Sequence, residues 1–453
     1  MCGIAGVFSE KPMKMLDPMY FMMLANQHRG QEASGIVLSD GKNSISQLHF
    51  RRLAGGVNSV NHLFSKKDLF ALEGQRFFLA LGHNRYSTAG SVAKNENVQP
   101  LLAKTRFGEI AIAHNGNIPN ASELKEELEK DGDIFMSDSD TEVVLKLISR
   151  SKRSTLEEAI MEAVQRVRVS YSLIFMTKDK VIALRDPYGI RPLSLGGFDH
   201  GYVLSSEPCA FSASRGMRFI RELRRGEMLV ISKNESYSVD YPDIPQFAAH
   251  CIFELIYFAR PDSFMFGQQI AEFRMRTGLL HAERYQIEVD AVVPIPDSAN
   301  FFAQGHARGL GVPLNLALLR NHYSGRTFIN PGKRDIDIKL SPIRTLIKGA
   351  RLAVDDDSIV RSNTSKAVIR LMRTCKPAEL HFCVACPPIF GYCPFGIDIK
   401  NNTELATHGR DVEDIRTLID ANTLNYLHME DLRSAVPNPD DFCYGCFGGG
   451  YVS

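Results

Sequence analysis

The pattern of apolar runs changes once along this chain, near residue 235, and no single type of sheet satisfies both sides of the change. Before it, short apolar runs alternate with turns: Glu109-Ile110-Ala111-Ile112-Ala113, Ser172-Leu173-Ile174-Phe175-Met176 and Val181-Ile182-Ala183-Leu184. Two amphipathic stretches interrupt them. Thr141 to Ser149 carries Val144, Leu145, Leu147 and Ile148 at helical spacing. The second opens with Ser154-Thr155-Leu156-Glu157, spaced as a capping box, and continues with Ala159, Ile160, Ala163, Val164 and Val167. Hairpin-rich sequence with such helices predicts an α+β domain of sheets sandwiched between helices. Ser232 to Pro245, with Pro242, Pro245 and little apolar content, reads as a connection. Beyond it, Ala291-Val292-Val293-Pro294-Ile295 and Arg351-Leu352-Ala353-Val354 are soon followed by acidic residues. They alternate with helical segments such as Ser365 to Thr374, which carries Ala367, Val368, Leu371 and Met372. That is the pattern of a parallel α/β sheet, whose ligands gather at the carboxyl ends of strands. Asp297 and Ser298 would stand at one such end, and Asp355, Asp356 and Asp357 at another. The predicted domains are therefore 2–235 and 245–453.

At 453 residues the chain can form two or three domains with real cores. Its formal net charge of +1 gives no reason to expect nucleic acid or an anionic membrane as partner. No apolar run approaches the roughly 18 residues of a transmembrane helix. A signal or transit peptide is not expected either, because the first motif begins at residue 2. Nine cysteines, six of them from residue 375 onward, do not read as a disulfide framework. They point to a reducing compartment, the cytoplasm, and to catalytic or metal-binding work.

Met1-Cys2-Gly3-Ile4-Ala5-Gly6 places a thiol one residue from the amino terminus. Removal of Met1 would leave Cys2 with a thiol of pKa about 8.5 and an α-amine of pKa about 8 on one backbone unit. The amine can then accept the thiol proton, directly or through water. Further along come Gln27-His28-Arg29-Gly30-Gln31-Glu32, Gly82-His83-Asn84-Arg85-Tyr86-Ser87-Thr88-Ala89-Gly90, His114-Asn115-Gly116-Asn117 and Ser137-Asp138-Ser139-Asp140-Thr141-Glu142. In order and spacing this series resembles the N-terminal-nucleophile (Ntn hydrolase, class II) glutamine amidotransferase domain, an αββα sandwich. The resemblance implies that Cys2 attacks the glutamine side-chain amide. It assigns the oxyanion to the Asn115 side chain and the Gly116 N–H. Arg85 would grip the α-carboxylate of glutamine, and Asp140 its α-ammonium. Asp186-Pro187-Tyr188-Gly189-Ile190-Arg191-Pro192-Leu193 is similar to the version of this domain found in amidophosphoribosyltransferases.

In the second half, Asp356-Asp357-Ser358-Ile359-Val360-Arg361, followed by Thr364-Ser365, resembles the phosphoribosylpyrophosphate motif of type I phosphoribosyltransferases. Two carboxylates at a strand end can bind ribose hydroxyls and organise Mg2+. The following helix start presents backbone N–H groups to a 5′-phosphate. By the same resemblance, Asp297 and Ser298 belong to the pyrophosphate loop, with Ser298 near the metal. Ser324-Gly325-Arg326-Thr327-Phe328-Ile329 matches a mobile loop that brings Arg326 over the sugar. Together the halves resemble the glutamine phosphoribosylpyrophosphate amidotransferase family over essentially the entire chain. The implied reaction hydrolyses glutamine and places ammonia on C1 of phosphoribosylpyrophosphate. Its products are 5-phosphoribosylamine, glutamate and pyrophosphate, the first step of de novo purine synthesis. Purine nucleotides as feedback inhibitors and a homo-oligomer, dimer or tetramer, are implied as well.

The departures from that pattern lie in the second half. Ser362-Asn363-Thr364 follows Arg361 where Gly-Thr-Thr is usual, and Ala299 stands where glycine usually follows Pro-Asp-Ser. Asp355 replaces an apolar strand residue and would add charge beside two carboxylates that already repel. The segment between Pro331-Gly332 and Lys339-Leu340 is several residues shorter than usual and holds only Lys333 and Arg334 as basic groups. These changes motivate an alternative: a divergent paralogue with an active glutaminase and an altered second half, acting as a regulatory or nucleotide-binding protein.

The cysteines admit several readings. Cys383-x-x-Cys386 with Cys443-x-x-Cys446 has zinc-site spacing, yet His381 to Cys386 reads as a strand, on which residues three apart face opposite sides. The family resemblance instead implies that Cys251, Cys393, Cys443 and Cys446 ligate a 4Fe–4S cluster, as in its iron–sulfur subgroup. A chain without metal is the third possibility. Cys209, Cys375, Cys383 and Cys386 are read as structural.

Overall fold

Period-two alternation of apolar residues builds two antiparallel sheets from the N-terminal half. The computed structural model describes residues 1–42, 45–51, 59–86, 95–321, 339–399 and 401–452. The strands of this half are β1 (Gly3–Met13), β2 (Ala33–Ser39), β3 (Ile45–Arg51), β4 (Phe77–Arg85), β5 (Leu101–Thr105), β6 (Gly108–Gly116) and β7 (Tyr171–Met176). They continue with β8 (Lys180–Arg185), β9 (Ser194–Phe198), β10 (Gly201–Ser205), β11 (Arg218–Glu222), β12 (Glu227–Ser232) and β13 (Ser236–Asp240). One sheet has the order β11-β9-β10-β1-β4-β2-β3, the other β13-β12-β8-β7-β6-β5. Ile4, Phe8, Val37, Leu79 and Leu81 of the first meet Ala111, Ala113, Ile174, Met176, Leu229 and Ile231 of the second in one core. The alternate residues Ala5, Val7, Ile36, Leu38 and Ala80 face the other way, onto Met15, Met19, Met22 and Met23 at and within helix α1 (Leu16–Ala25). Gly82 lets α1 sit close, because a Cβ there would lie 2.6 Å from the Met23 sulfur. Each such large apolar side chain, taken fully out of water, contributes about 1.5–3 kcal/mol.

Helix α2 (Ala121–Lys130), α3 (Asp140–Arg150) and α4 (Leu156–Val164) lie beside the second sheet, with α3 against β5 and β6. This is the expected sandwich, with differences in detail. The capping box of α4 is Thr155 with Glu158, one residue later than the sequence reading: the Thr155 hydroxyl accepts from the Glu158 N–H and the Glu158 carboxylate from the Thr155 N–H. Glu157 instead pairs with Lys180 at 2.6 Å. Helices α1 and α2 add to the two that were expected. The predicted connection at 232–245 is part strand, since Ser236–Asp240 pairs with β12 as an exposed edge, where pairing rather than burial fixes the backbone.

The chain divides into two units: Met1–His250 with Pro394–Asp398 and Val452–Ser453, and Cys251–Cys393 with Ile399–Tyr451. The second unit holds a four-stranded sheet of β14 (Ala291–Pro294), β15 (Arg351–Asp356), β16 (Glu379–Val384) and β17 (Thr423–Tyr426), parallel and in that order. Helices α5 (Ile270–Arg284), α6 (Asn300–Leu310), α7 (Asn363–Arg373) and α8 (Val412–Ile419) complete it. α5 and α6 cross at glycines. A Cβ on Gly278 would fall 2.0 Å from the Phe302 carbonyl oxygen, and one on Gly305 1.9 Å from that of Met275. Both obstacles are backbone, which cannot swing aside as a side chain can. We expect Gly305→Ala to lower stability by about 2 kcal/mol or more, read as a shift in urea midpoint. Gly74→Ala, with nothing within 4 Å of its Cβ, should change it little.

Candidate functional site

The end of β4, the end of β6 and the start of α3 surround Cys2. Its nitrogen donates to Asn115 Oδ1 at 3.1 Å, its Sγ lies 3.5 Å from the Tyr86 carbonyl oxygen, and its own carbonyl accepts from Arg29 Nε at 3.1 Å. Arg29 and His28 both bind the buried Glu207 carboxylate. The Gln27-His28-Arg29-Gly30 motif thus packs against Cys2, and a Cβ on Gly30 would lie 2.5 Å from the Arg85 backbone. Cys2, Arg85, His83, His114, Gly116 and Asp140 line one pocket.

The electrostatics of the pocket are divided. Burial pushes the Cys2 thiol above its ordinary value, with the amino terminus, the Tyr86 carbonyl contact and Arg85 opposing. Burial alone would also raise Asp140, but the His114 ring and hydrogen bonds from Ile118 N and Thr141 Oγ1 hold it below the usual carboxylate range. It is a fixed anion. Asn115 Nδ2 is buried and makes no hydrogen bond among the described residues, an arrangement that costs about 1–3 kcal/mol unless something accepts from it. Gly116 tolerates no side chain, since a Cβ would meet the Ser170 carbonyl at 2.2 Å. The Ser87-Thr88-Ala89-Gly90 end of its motif lies outside the described residues.

One part of this site comes from far along the chain. Pro394–Asp398 belongs to the first unit. The Pro394 carbonyl accepts from Asn117 Nδ2 at 2.9 Å, the Phe395 carbonyl from Ser170 Oγ at 2.9 Å and Arg191 Nε at 3.2 Å, and Tyr86 OH donates to Asp398 at 3.2 Å. In the Asp186 turn, the Asp186 carboxylate accepts from Tyr188 N and Ile190 N, which orders the loop that delivers Arg191.

In the second unit, Ser298 Oγ donates to Asp357, as does Ser358 Oγ at 2.6 Å. Burial first, then mutual repulsion, pushes the Asp356 carboxyl well above its ordinary value; Asp357 is raised by burial against these two hydroxyls. Two crowded buried carboxyls beside a serine form a donor set that a hard divalent cation would neutralise. Asp355 does not join them. It lies on the sheet face packed by α6, where its carboxylate meets His306 Nδ1 at 3.0 Å. Strand alternation turns it away from the ligand end, so the expected crowding by a third charge is replaced by a buried hydrogen bond with His306, although Asp355 still raises Asp356 slightly. Asp297 pairs with Arg320, and Arg361 with Glu404 at 2.6 Å. Thr364 and Ser365 lie in the first turn of α7. Ser324 to Ile329 with Arg326, and Pro331, Gly332, Lys333 and Arg334, fall outside the described residues.

Cys251, Cys393, Cys443 and Cys446 are unbridged thiols of the second unit. Burial first, then Cys393, Cys251 and Cys443, push Cys446 well above its ordinary value, and the same four sulfurs act on the Tyr451 hydroxyl. A single zinc ion would hold its sulfurs about 3.8 Å apart. Among the described residues, no three of these four sulfurs lie within 4.8 Å of one another, whereas His281, His306 and Cys383 do form such a group. Cys383 and Cys386 have separate surroundings: Cys383 faces the two histidines, and Cys386 lies near Asp356 and Asp357.

Comparison with known proteins agrees with this geometry. The sequence profile of the glutamine amidotransferase domain matches residues 83–213. The amidophosphoribosyltransferase of Methanocaldococcus jannaschii is 38% identical over 471 aligned positions, covering 100% of this chain and 97% of that protein. That of Bacillus subtilis is 36% identical, covering 99% and 94%. The chain belongs to the amidophosphoribosyltransferase family. A solved structure of the B. subtilis glutamine phosphoribosylpyrophosphate amidotransferase, in complex with ADP and GMP, superposes with a TM-score of 0.90 at 35% identity, covering 99% of this chain and 97% of that one.

Sequence reading missed several members of these sites. Tyr86 contributes a backbone carbonyl, which has no sequence signature. Pro394–Asp398 is too distant to be read as part of the first unit. Glu404, the partner of Arg361, lies outside any motif. The departure at Ser362 has a measurable cost: it caps α7 at φ +57°, where an L residue is strained by about 1 kcal/mol. Ser362→Gly should therefore raise stability by about 0.5–1 kcal/mol, and Ser362→Val should lower it by more than 1 kcal/mol, measured by chemical denaturation. A loss on Ser362→Gly would show that this residue is not left-handed in solution.

Proposed function

We propose that this amidophosphoribosyltransferase family member works through two chemistries in series, one in each unit. With Met1 removed, the Cys2 nitrogen held by Asn115 Oδ1 becomes a free amine. It takes the proton of the thiol that burial keeps neutral, and the thiolate adds to the side-chain amide carbon of glutamine. The oxyanion is received by Asn115 Nδ2 and the Gly116 N–H. The buried Asn115 Nδ2, without an acceptor among the described residues, is the observation that carries this reading. The amine then returns its proton to the departing ammonia, and water hydrolyses the thioester to glutamate. Arg85 and the ionised Asp140 hold the α-carboxylate and α-ammonium at the far end of the pocket.

Ammonia then displaces pyrophosphate from C1 of phosphoribosylpyrophosphate, giving 5-phosphoribosylamine. Asp356 and Asp357 would take the ribose hydroxyls. Asp297 and Ser298 would take the pyrophosphate, and Ser358, Arg361, Thr364 and Ser365 the 5′-phosphate, with Arg326 closing over the sugar. Ser298, Asp356 and Asp357 would hold Mg2+, which when bound neutralises charge on the pyrophosphate leaving group. Purine nucleotides as feedback inhibitors, a homo-oligomeric state and a cytoplasmic location complete the proposal. The nucleotides bound to the B. subtilis relative support the first of these.

Cys2→Ala should lose glutamine-dependent product by at least about 10³-fold while retaining pyrophosphate release with ammonium salts. Full glutaminase activity in Cys2→Ala would remove the nucleophile from the proposal. An unaltered chain that consumes glutamine but releases no pyrophosphate would instead overturn the second half alone.

Cys251, Cys393, Cys443 and Cys446 would hold a 4Fe–4S cluster as a structural tie. The tail around Cys443 and Cys446 is rich in glycine, at Gly445, Gly448, Gly449 and Gly450, and buries too little surface to offset its ordering entropy unaided. Protein purified without oxygen should be brown and carry about four irons per chain. Cys443→Ala should lose both iron and thermal stability, and Cys383→Ser should keep its iron. Iron lost on the Cys383 change would mean that the ligand set is wrong.

A further inference from the structure

Behind the second unit's sheet lies a polar cluster that the reaction does not use. His281 of α5 and His306 of α6 are both wholly buried, as are Asp355 of β15 and Cys383 of β16. The glycine crossing of α5 and α6 brings the two rings together: Gly278 precedes His281 by one turn, and Gly305 adjoins His306. Asp355, Cys383 and Asn425 are register neighbours across three adjacent strands.

Proton accounting gives this cluster its meaning. His306 Nδ1 stands 3.0 Å from both Asp355 oxygens, and a carboxylate only accepts, so Nδ1 carries the hydrogen. His281 Nε2 stands 3.2 Å from the Asn425 carbonyl, which also only accepts, so Nε2 carries the hydrogen. In neutral rings the remaining nitrogens, His281 Nδ1 and His306 Nε2, hold lone pairs, and these face each other at 3.3 Å. Two lone pairs repel unless a cation lies between them. The Cys383 sulfur and one nitrogen of each ring all lie within 4.8 Å of one another. A shared proton would use two of these three atoms; a metal ion uses all three.

We propose that His281, His306 and Cys383 form a buried site for one divalent late transition-metal ion, zinc by ligand chemistry, that ties the α5–α6 pair to the sheet. Two imidazole nitrogens on a tetrahedral zinc ion, each about 2.0–2.1 Å from it, stand about 3.3 Å apart, as these two do. Each ring has the outer partner that orients metal-binding histidines: a carboxylate for His306 and a backbone carbonyl for His281. Binding exchanges the Cys383 S–H bond for a sulfur–metal bond and releases that proton to solvent. The charges then cancel, with two positive on the ion, one negative on the thiolate and one negative on Asp355, as a dry interior demands. Asp355 and His306 account for each other within this site.

The test is elemental analysis and zinc-edge X-ray absorption on the full chain purified with its iron. About one zinc per chain, in a shell of two nitrogens and one sulfur, is expected in addition to the iron. Cys383→Ser and His306→Gln should each lower zinc more than tenfold and leave iron unchanged, and Cys443→Ala should do the reverse. Because core variants can misfold, cobalt(II) supplied to the unaltered chain during expression provides a second readout. A thiolate-to-cobalt absorption band in the near ultraviolet supports the site. Unaltered protein with no zinc and no cobalt band, or zinc surrounded by four sulfurs, would overturn it and leave a proton shared by the two rings.

Discussion

The hydrogen bond from the Cys2 nitrogen to Asn115 Oδ1 joins the residue before β1, in one sheet, to β6 in the other. Much of the first unit's chemistry depends on that single link. It requires the chain start to be buried between sheets, and burial is what suppresses ionisation of the thiol. In the proposed mechanism a nucleophile placed this way needs a built-in proton acceptor, and the α-amine that removal of Met1 would free lies on the same residue, oriented by the Asn115 oxygen. That use of the oxygen leaves the Asn115 nitrogen without a partner among the described residues, so in the proposed mechanism one amide would both orient the base and receive the oxyanion.

Close backbone approach is the second condition, and glycine meets it repeatedly. Gly30 against Arg85, Gly116 against Ser170 and Gly82 under α1 each stand where a single Cβ would collide. The same device in the second unit, at Gly278 and Gly305, is what lets two histidines from different helices face each other. Sites in both units are thus set by where the backbone can come within van der Waals contact, with polar groups filling the positions that result.

The first unit was legible from sequence because its site is assembled from strand ends and turns, whose residues are contiguous and carry motifs. Asn115-Gly116 ends β6 and Asp140 starts α3, so order and spacing along the chain reproduce their order around the pocket. The sandwich was legible for a related reason, since alternation along β1, β2 and β4 divides cleanly between two cores. Three things were not. Backbone carbonyls such as that of Tyr86 leave no trace in residue type. Pro394–Asp398 reaches the first unit from a position almost 150 residues beyond the first unit's main segment, a long-range pairing that no local pattern records. The capping box was placed one residue early because Ser154 and Thr155 both have the right chemistry and both have a glutamate three residues on.

Asp355 shows how such an error arises and what it conceals. An acidic triplet after a strand reads as one cluster of ligands, yet Asp355 is still within β15, and alternation sends its side chain to the face covered by α6. Its meaning depends on His306, about fifty residues earlier and on a different element, so neither residue could be interpreted without the fold. Asp355 and Ser362 both depart from the family pattern, but they differ physically. Ser362 carries its strain locally, in its own backbone, and glycine would relieve it. Asp355 carries no local strain and would be costly only if left unpaired, which His306 prevents. A compensated substitution of that kind has to be judged as a pair: replacing Asp355 alone with an apolar residue would leave the His306 ring buried without its acceptor, while replacing both would remove that pair and the cost of burying it together.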